Sequence, residues 1–350
     1  MSFSFKEFSP DSISTNQREV VTAPLWSNSQ TTLTAVFTSS VQSSNEQRYY
    51  YDIFNSQSNA QGAESQFSIA YGHVDGSGSG TGSYGQNLLD YPTKAIYSQY
   101  RQLLLNASET LFKFSNDETS KYIYVVNINR SRYKDRMDTS TWQLNLAKLT
   151  SPGTLASPRS IISLIDDSGN SSTELASQGG RVYNVVSGSI ADGVKVGDAT
   201  PYGLFYPDYG VIILNGNALD VSASFFTENN PSTGLYAQDN TKRFFTSISG
   251  AIASNPSSFG FKANTSEVLN STYYFARLQN NEFNYSTNPS FYSSSANILK
   301  WPSMYDNPRT YVTTVGLYDD FQNLLAVAKL NKSVAKTFDK ELVIKIKIDY

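Results

Sequence analysis

The chain has 350 residues and a mass of 38.7 kDa, enough for two or three domains that each bury a core. Its formal charge is −3 and its pI near 5.3, which argues against a general nucleic-acid binder, since such a protein needs a strong excess of Lys and Arg. Cysteine is absent, so disulfides, zinc–thiolate centres and cysteine nucleophiles are excluded too.

Charged residues make up only 16% of the chain and aromatics 13%, with 24 Tyr and 20 Phe. Tyrosine joins an apolar ring to a hydroxyl, which suits surfaces that become half buried against a partner. Met1-Ser-Phe-Ser-Phe-Lys-Glu7 has no charged-then-apolar leader, so secretion by a signal peptide is not expected. No stretch approaches the roughly 20 apolar residues that span a bilayer as a helix.

Residues 1–30 are polar with apolar anchors at Phe3, Phe5, Phe8 and Trp26, and read as an N-terminal arm. Runs rich in β-branched and aromatic residues predict strands at 32–38, 48–54, 66–72 and 122–128, the last apolar enough to be buried on both faces. A Gly/Ser tract follows the third of these, and Pro92-Thr93 then opens a helix over 94–105 with Ile96, Tyr100, Leu103 and Leu104 on one face. From 151 to 265 the chain turns richer in Gly, Ser and Pro. Short apolar runs at 161–165, 182–186 and 204–214 alternate there with turns, and the last reads as a hairpin around Pro207-Asp208. A second helix is predicted over 241–254, against the local preference of Gly250, and a strand over 272–278.

The segment 311–350 reads as an antiparallel meander. Tyr311–Tyr318 is one strand, Leu324–Leu330 its return, and in 342–350 Ile344, Ile346 and Ile348 alternate with Lys345, Lys347 and Asp349. Period two sends the isoleucines to one buried face and the charges to the other. The expected architecture is mainly β with a few helices: a β-sandwich-like body from 31–150 and 266–350, with 151–265 inserted as a second β-rich domain.

No catalytic constellation emerges. His73 is the sole histidine and is expected to be structural. The glycine tract lacks the Gly-Lys-Ser/Thr ending of a P-loop and reads as a flexible connection. Asp166-Asp167 and Asp319-Asp320 read as solvated turns, since neighbouring acids do not face each other across a substrate as a glycosidase requires. Arg130, Arg132, Lys134 and Arg136 are spaced by two, which on a strand would align four cations; an interface role is preferred over phosphate contact.

Several segments carry a family likeness. Phe67-Ser-Ile-Ala-Tyr-Gly72, Tyr91-Pro-Thr-Lys-Ala-Ile96, Tyr124-Val-Val-Asn-Ile-Asn-Arg-Ser-Arg132 and Asp138-Thr-Ser-Thr-Trp-Gln-Leu144 resemble the opening domain of tail or baseplate structural proteins of contractile-tailed bacteriophages, those of cyanobacterial phages above all. Thr272–Ser286 with Asn288-Pro289, and Thr313–Tyr318 running into Leu325–Leu330, are similar to such virion proteins as well. The order of features is similar to that of a baseplate wedge subunit.

The resemblance covers about 66–144 and 270–350. It implies a non-enzymatic structural subunit of the viral tail, assembled in the host cytoplasm, with other tail or baseplate subunits as partners and a second copy of the chain as a further candidate. It implies no cofactor, no metal, no membrane and no direct nucleic-acid contact. The expected contact residues are Arg130, Arg132, Arg136, Trp142, Tyr311, Tyr318, Ile346 and Tyr350. The alternative is a receptor- or carbohydrate-binding tail module; a glycan-degrading tail enzyme is the third reading.

Overall fold

The computed structural model describes residues 5–39, 50–78, 92–151, 154–169, 175–177, 179–190, 194–195, 200–225, 240–253, 259–293, 295–296 and 298–349. The chain forms two compact units, a larger one of residues 21–267 and a smaller one of 1–20 with 268–350. The architecture is mainly β with a few helices, as the residue patterns predict.

The larger unit is built on one curled, 13-stranded antiparallel sheet. Its strands include β2 (Thr32–Leu33), β3 (Phe37–Thr38), β4 (Tyr50–Phe54), β5 (Ser65–His73), β6 (Tyr122–Ile128), β8 (Gln143–Ala147), β9 (Ile161–Asp166), β10 (Gly180–Ser189), β11 (Gly203–Tyr206), β12 (Val211–Asn215) and β13 (Phe261–Lys262). They lie in the order β2-β13-β8-β9-β10-β11-β12-β6-β5-β4-β3. Two further strands belong to a separate four-stranded sheet: β1 (Ile13–Pro24) and β7 (Arg136–Met137), which both pair with β14 (Asn264–Leu278).

Alternation along the central strands explains the layering. Tyr124, Val126 and Ile128 of β6 enter the inner core, together with Tyr51, Ile53, Phe67, Ile69, Tyr71, Leu144, Leu164, Phe205 and Ile212 from neighbouring strands. Ile123 and Val125 point the other way, into a second core shared with Ala70, Leu204, Val211 and Ile213. The sheet therefore has apolar residues on both faces, as the continuous apolar run at 122–128 predicts.

Helix α1 (Pro92–Leu104) covers the outer face through Tyr97 and Leu104. Pro92 and Thr93, expected to precede the helix, are its first two residues, and Leu103 is exposed rather than on the buried stripe. Helices α2 (Gly216–Ser222) and α3 (Asn240–Ile252) close the inner core with Leu219, Phe244 and Ile248. Gly250 is tolerated within α3 because a Cβ there would lie 2.3 Å from Leu155 Cδ2; close packing outweighs helix propensity.

The sheet corrects the domain division expected from composition. Segments 31–150 and 151–265 interleave in one sheet and one core, so 151–265 is not an insert with its own core. The strands that follow residue 150 pair antiparallel in the same layer, and the 207–210 turn joins two of them tightly. The expected strand at 32–38 is broken into β2 and β3, and the hairpin at 203–215 forms as predicted.

The smaller unit has a thinner construction. Within it β14 pairs with β17 (Leu342–Asp349), from Ser271↔Asp349 to Leu278↔Leu342. A separate two-stranded hairpin joins β15 (Thr310–Tyr318) to β16 (Leu324–Lys336). The segment 311–350 is thus not a three-stranded meander: the return strand is as predicted, but the final strand leaves the hairpin to pair with 271–278. The isoleucine alternation does hold. Ile344 and Ile346 are buried and Ile348 packs against them, in a core that also takes Leu317, Val315, Ala326, Ala328 and Leu330.

Residues near the start of the chain belong to this unit. Phe5 meets Tyr318 edge-on at 5.0 Å between ring centroids, Phe8 lies 5.6 Å from Tyr274, and Lys6 pairs with Glu282 at 2.6 Å. Trp26 instead sits in the inner core of the larger unit against Phe67 and Phe261, so residues 1–30 are not one arm. Lys336 is fully buried and donates from Nζ to the Asn280 and Thr337 carbonyls and to Asn284 Oδ1, at 2.9–3.0 Å. Three oxygen acceptors compensate the lost hydration of the ammonium and lock the 280–284 loop to the end of β16.

Candidate interaction surface

The hairpin of β15 and β16 is where the fold leaves apolar side chains in water. Alternation along β16 turns Ala326, Ala328 and Leu330 inward, and Leu325, Val327 and Lys329 outward. Leu325 and Val327 are 69% and 58% exposed, and Phe321 at the tip is 86% exposed. The inward residues include two alanines, so the bulkier pair faces solvent, which burial energetics alone would not select. Val327 stands opposite Gly316, beside which the Tyr318 ring lies: a Cβ on Gly316 would sit 2.9 Å from Tyr318 Cε2.

The tip is held rigidly. Asp319 accepts hydrogen bonds from the backbone N–H groups of Phe321 and Asn323, at 3.0 and 2.7 Å, and from Asn323 Nδ2 at 2.9 Å. These donors, Asn323 foremost, hold its carboxyl below the usual carboxylate range. Asp319-Asp320 is thus a solvated turn, as predicted, with Asp319 ordering it. Among the described residues, β15 and β16 pair only with each other, so each also presents an unpaired backbone edge.

The expected contact residues are not brought together. Tyr311 and Tyr318 lie on the hairpin and are exposed. Ile346 is buried in the core of the same unit, and Tyr350 lies outside the described residues, as do Phe3, Arg48 and most of the Gly/Ser tract. Trp142 is fully buried in the larger unit, 5.2 Å from Phe205 and 6.2 Å from Phe261, and is a core residue rather than a contact. Its neighbours in β8 are buried on both sides, so no face is left to offer a partner.

The four cations do not line a strand either. Asn129 Oδ1 accepts from Ser131 N and Oγ, at 3.2 and 3.0 Å, and opens a 3-10 turn over Arg130–Arg132. Each cation then finds a partner within the larger unit. Arg130 donates to the Tyr133 carbonyl and lies over its ring, Arg132 pairs with Glu64, Lys134 reaches Glu267 at 2.7 Å, and Arg136 donates to Ser266 Oγ at 3.0 Å.

Asp166 and Asp167, expected in a solvated turn, are both 4% exposed. Strand β9 ends at Asp166, and Asp167 follows it. Both Asp166 carboxylate oxygens accept from Ser140 N, at 2.9 and 3.0 Å, with Ser168 Oγ as a further donor at 2.9 Å. Asp167 accepts from Asn184 N and Nδ2, at 3.0 and 2.9 Å. Burial pushes the Asp166 carboxyl up to about 6 despite these donors. The pair bridges chain segments and holds no facing partner acid. His73 is buried, with Nδ1 accepting from Asp75 N at 3.0 Å and its ring stacked on Tyr122.

Sequence reasoning did not single out Phe321, Leu325 or Val327. The available signal was that Leu324–Ala328 is apolar at five consecutive positions, more than a strand with one buried face needs. No known family model, curated protein or solved structure matches the chain.

Proposed function

We propose that the chain is a non-enzymatic structural subunit of a bacteriophage tail, a baseplate wedge component that holds neighbouring subunits together. The outer face of the β15–β16 hairpin carries this reading. Monomeric proteins rarely leave large apolar side chains clustered in water, and such clusters mark surfaces that another chain covers. Here the cluster adjoins a turn ordered by Asp319, is rimmed by Lys329, Asp319 and Asp320, and is bordered by strand edges unpaired among the described residues, so a neighbouring subunit can add a strand and bury Leu325, Val327 and Phe321 together. A specific contact of this kind covers on the order of 800 Å² on each partner. The low charge of the chain favours dense packing, because every covered charge must be paired or desolvated.

The test is immunogold labelling of phage particles with antibody to this chain, on intact and on disrupted particles. Gold at the distal end of the tail is the expected result. Label at the neck or head would overturn the baseplate position, and blank labelling of both preparations would overturn the tail reading altogether.

A further inference from the structure

The larger unit holds a polar pocket that neither the core nor the hairpin surface explains. On the outer face of the sheet, Asp52 of β4, Ser68 of β5 and Asn127 of β6 lie side by side in register. The same face is apolar along these strands at Ala70, Val125 and Ile123, where α1 covers it. The polar row begins at the rim of that cover, where Tyr100 of α1 hydrogen-bonds the Asn127 side chain. Around it the chain forms an open pocket of about 550 Å³, within the range of small-molecule sites.

Two turns wall the pocket, and both are held in place from behind. The 3-10 turn after β6 brings Asn129 and Arg130, and the β11–β12 turn brings Tyr209. Arg130 sits with its guanidinium carbon 4.6 Å from the Tyr133 ring centroid. That ring packs on Gly210, where a Cβ would lie 2.7 Å from Tyr133 Cε1 and where φ is +63°. Gly210 therefore serves both the turn and the close approach of the ring. Arg181 pairs with Asp208 at 2.9 Å and fixes the other end of the same turn. Ser68 Oγ donates to Asp52 Oδ1 at 2.6 Å, which aims the carboxylate.

The chemistry of the wall selects a ligand class. One guanidinium and one carboxylate face the same space, so there is no net field to draw a phosphate, and the carboxylate repels one. Acceptors, donors, amides and hydroxyls are interleaved around an aromatic side chain, Tyr209, that is 38% exposed. Vicinal hydroxyls, which both donate and accept, fit such a wall, and the C–H face of a sugar ring fits the tyrosine. We propose that this pocket binds a short neutral oligosaccharide, with Tyr209 as the platform and Asp52, Asn127 and Arg130 as the hydroxyl-reading groups. The preset side chains lower the ordering cost of binding. The site lies in the larger unit and stands independently of the tail-subunit reading.

The experiment is ligand-observed NMR on the full chain with gluco-, galacto-, manno- and N-acetylhexosamine-configured di- to tetrasaccharides, with AMP and inorganic phosphate as comparators. At least one saccharide is expected to bind with Kd below ~1 mM, and Tyr209→Ala and Asp52→Asn are each expected to weaken it ~10-fold. Both variants are checked for an unchanged melting temperature, and Asn127→Ala replaces either one that melts early. Absence of saccharide binding to the wild-type chain would overturn the proposal. So would saccharide binding that the folded variants leave intact, or binding of AMP or phosphate alone.

Discussion

The two units of this chain use apolar side chains in opposite ways. In residues 21–267 a single sheet is sandwiched between two cores, and nearly every large apolar residue of its central strands is withdrawn from water. In residues 1–20 and 268–350 the core is small, and sixteen of the twenty-one large apolar side chains exposed among the described residues belong to this smaller unit. The contrast separates a unit that buries its large apolar side chains from one that leaves many of them in water. The larger unit satisfies its own burial. The smaller one leaves apolar area in water, and on the proposed reading a neighbouring subunit covers it.

The comparison is broken most forcefully at Trp142. If the larger unit is self-sufficient, Trp142→Ala should cost about 4 kcal/mol in urea unfolding, through lost contacts with Phe205 and Phe261 and the cavity left behind. A loss below ~1 kcal/mol would return this tryptophan to the list of contact residues. Next in size is Asp166. Its folded pKa of about 6 lies above the ordinary 3.8, so the folded state holds its proton more tightly than the unfolded chain. The associated stability is fully present below pH ~3.8 and is lost as pH rises through about 6, amounting to ~3 kcal/mol. Asp166→Asn should flatten the stability profile between pH 4 and 6, read by urea titration at fixed pH steps; an unchanged slope would place the titration elsewhere.

The smallest effect on stability should come from the hairpin. Leu325→Ser with Val327→Ser should change the unfolding free energy of the isolated chain by no more than ~0.5 kcal/mol, because both side chains already face water. The same pair should reduce incorporation into particles by at least ~10-fold in a complementation assay. A large stability loss with normal incorporation would reverse the roles assigned to the two faces of the hairpin.

The parts of this molecule that were legible in the sequence are those set by local period. The run at 122–128, the hairpin at 203–215 and the isoleucine alternation at 344–348 each state their own burial. Which strands become neighbours was not legible in the same way. Nothing in 342–349 names 271–278 rather than the adjacent 324–330 as its partner, because the alternation is compatible with either. Local competition misled twice more. Arg130, Arg132, Lys134 and Arg136 have strand spacing, yet the Asn129 side chain captures the backbone of Ser131 and turns the chain instead. Asp166-Asp167 looks like a surface turn because its hydrogen-bond donors, Ser140 and Asn184, come from segments that only the tertiary fold delivers. The interaction surface was half visible: Tyr311 and Tyr318 stood out by type, whereas Leu325 and Val327 look like any core residues until the register assigns them a side.

The pairing of 271–278 with 342–349 also sets a schedule for biosynthesis. Every strand of the large sheet has been made by residue 262, some eighty residues before the strand that completes the smaller unit emerges from the ribosome. The body can therefore fold while synthesis continues. The hairpin gains the layer it rests on only when residues 342–349 arrive, so a chain truncated before them would carry a finished body and an unsupported hairpin. On the proposed reading, incomplete products are thereby poor competitors for places in an assembly, a consequence of strand order alone.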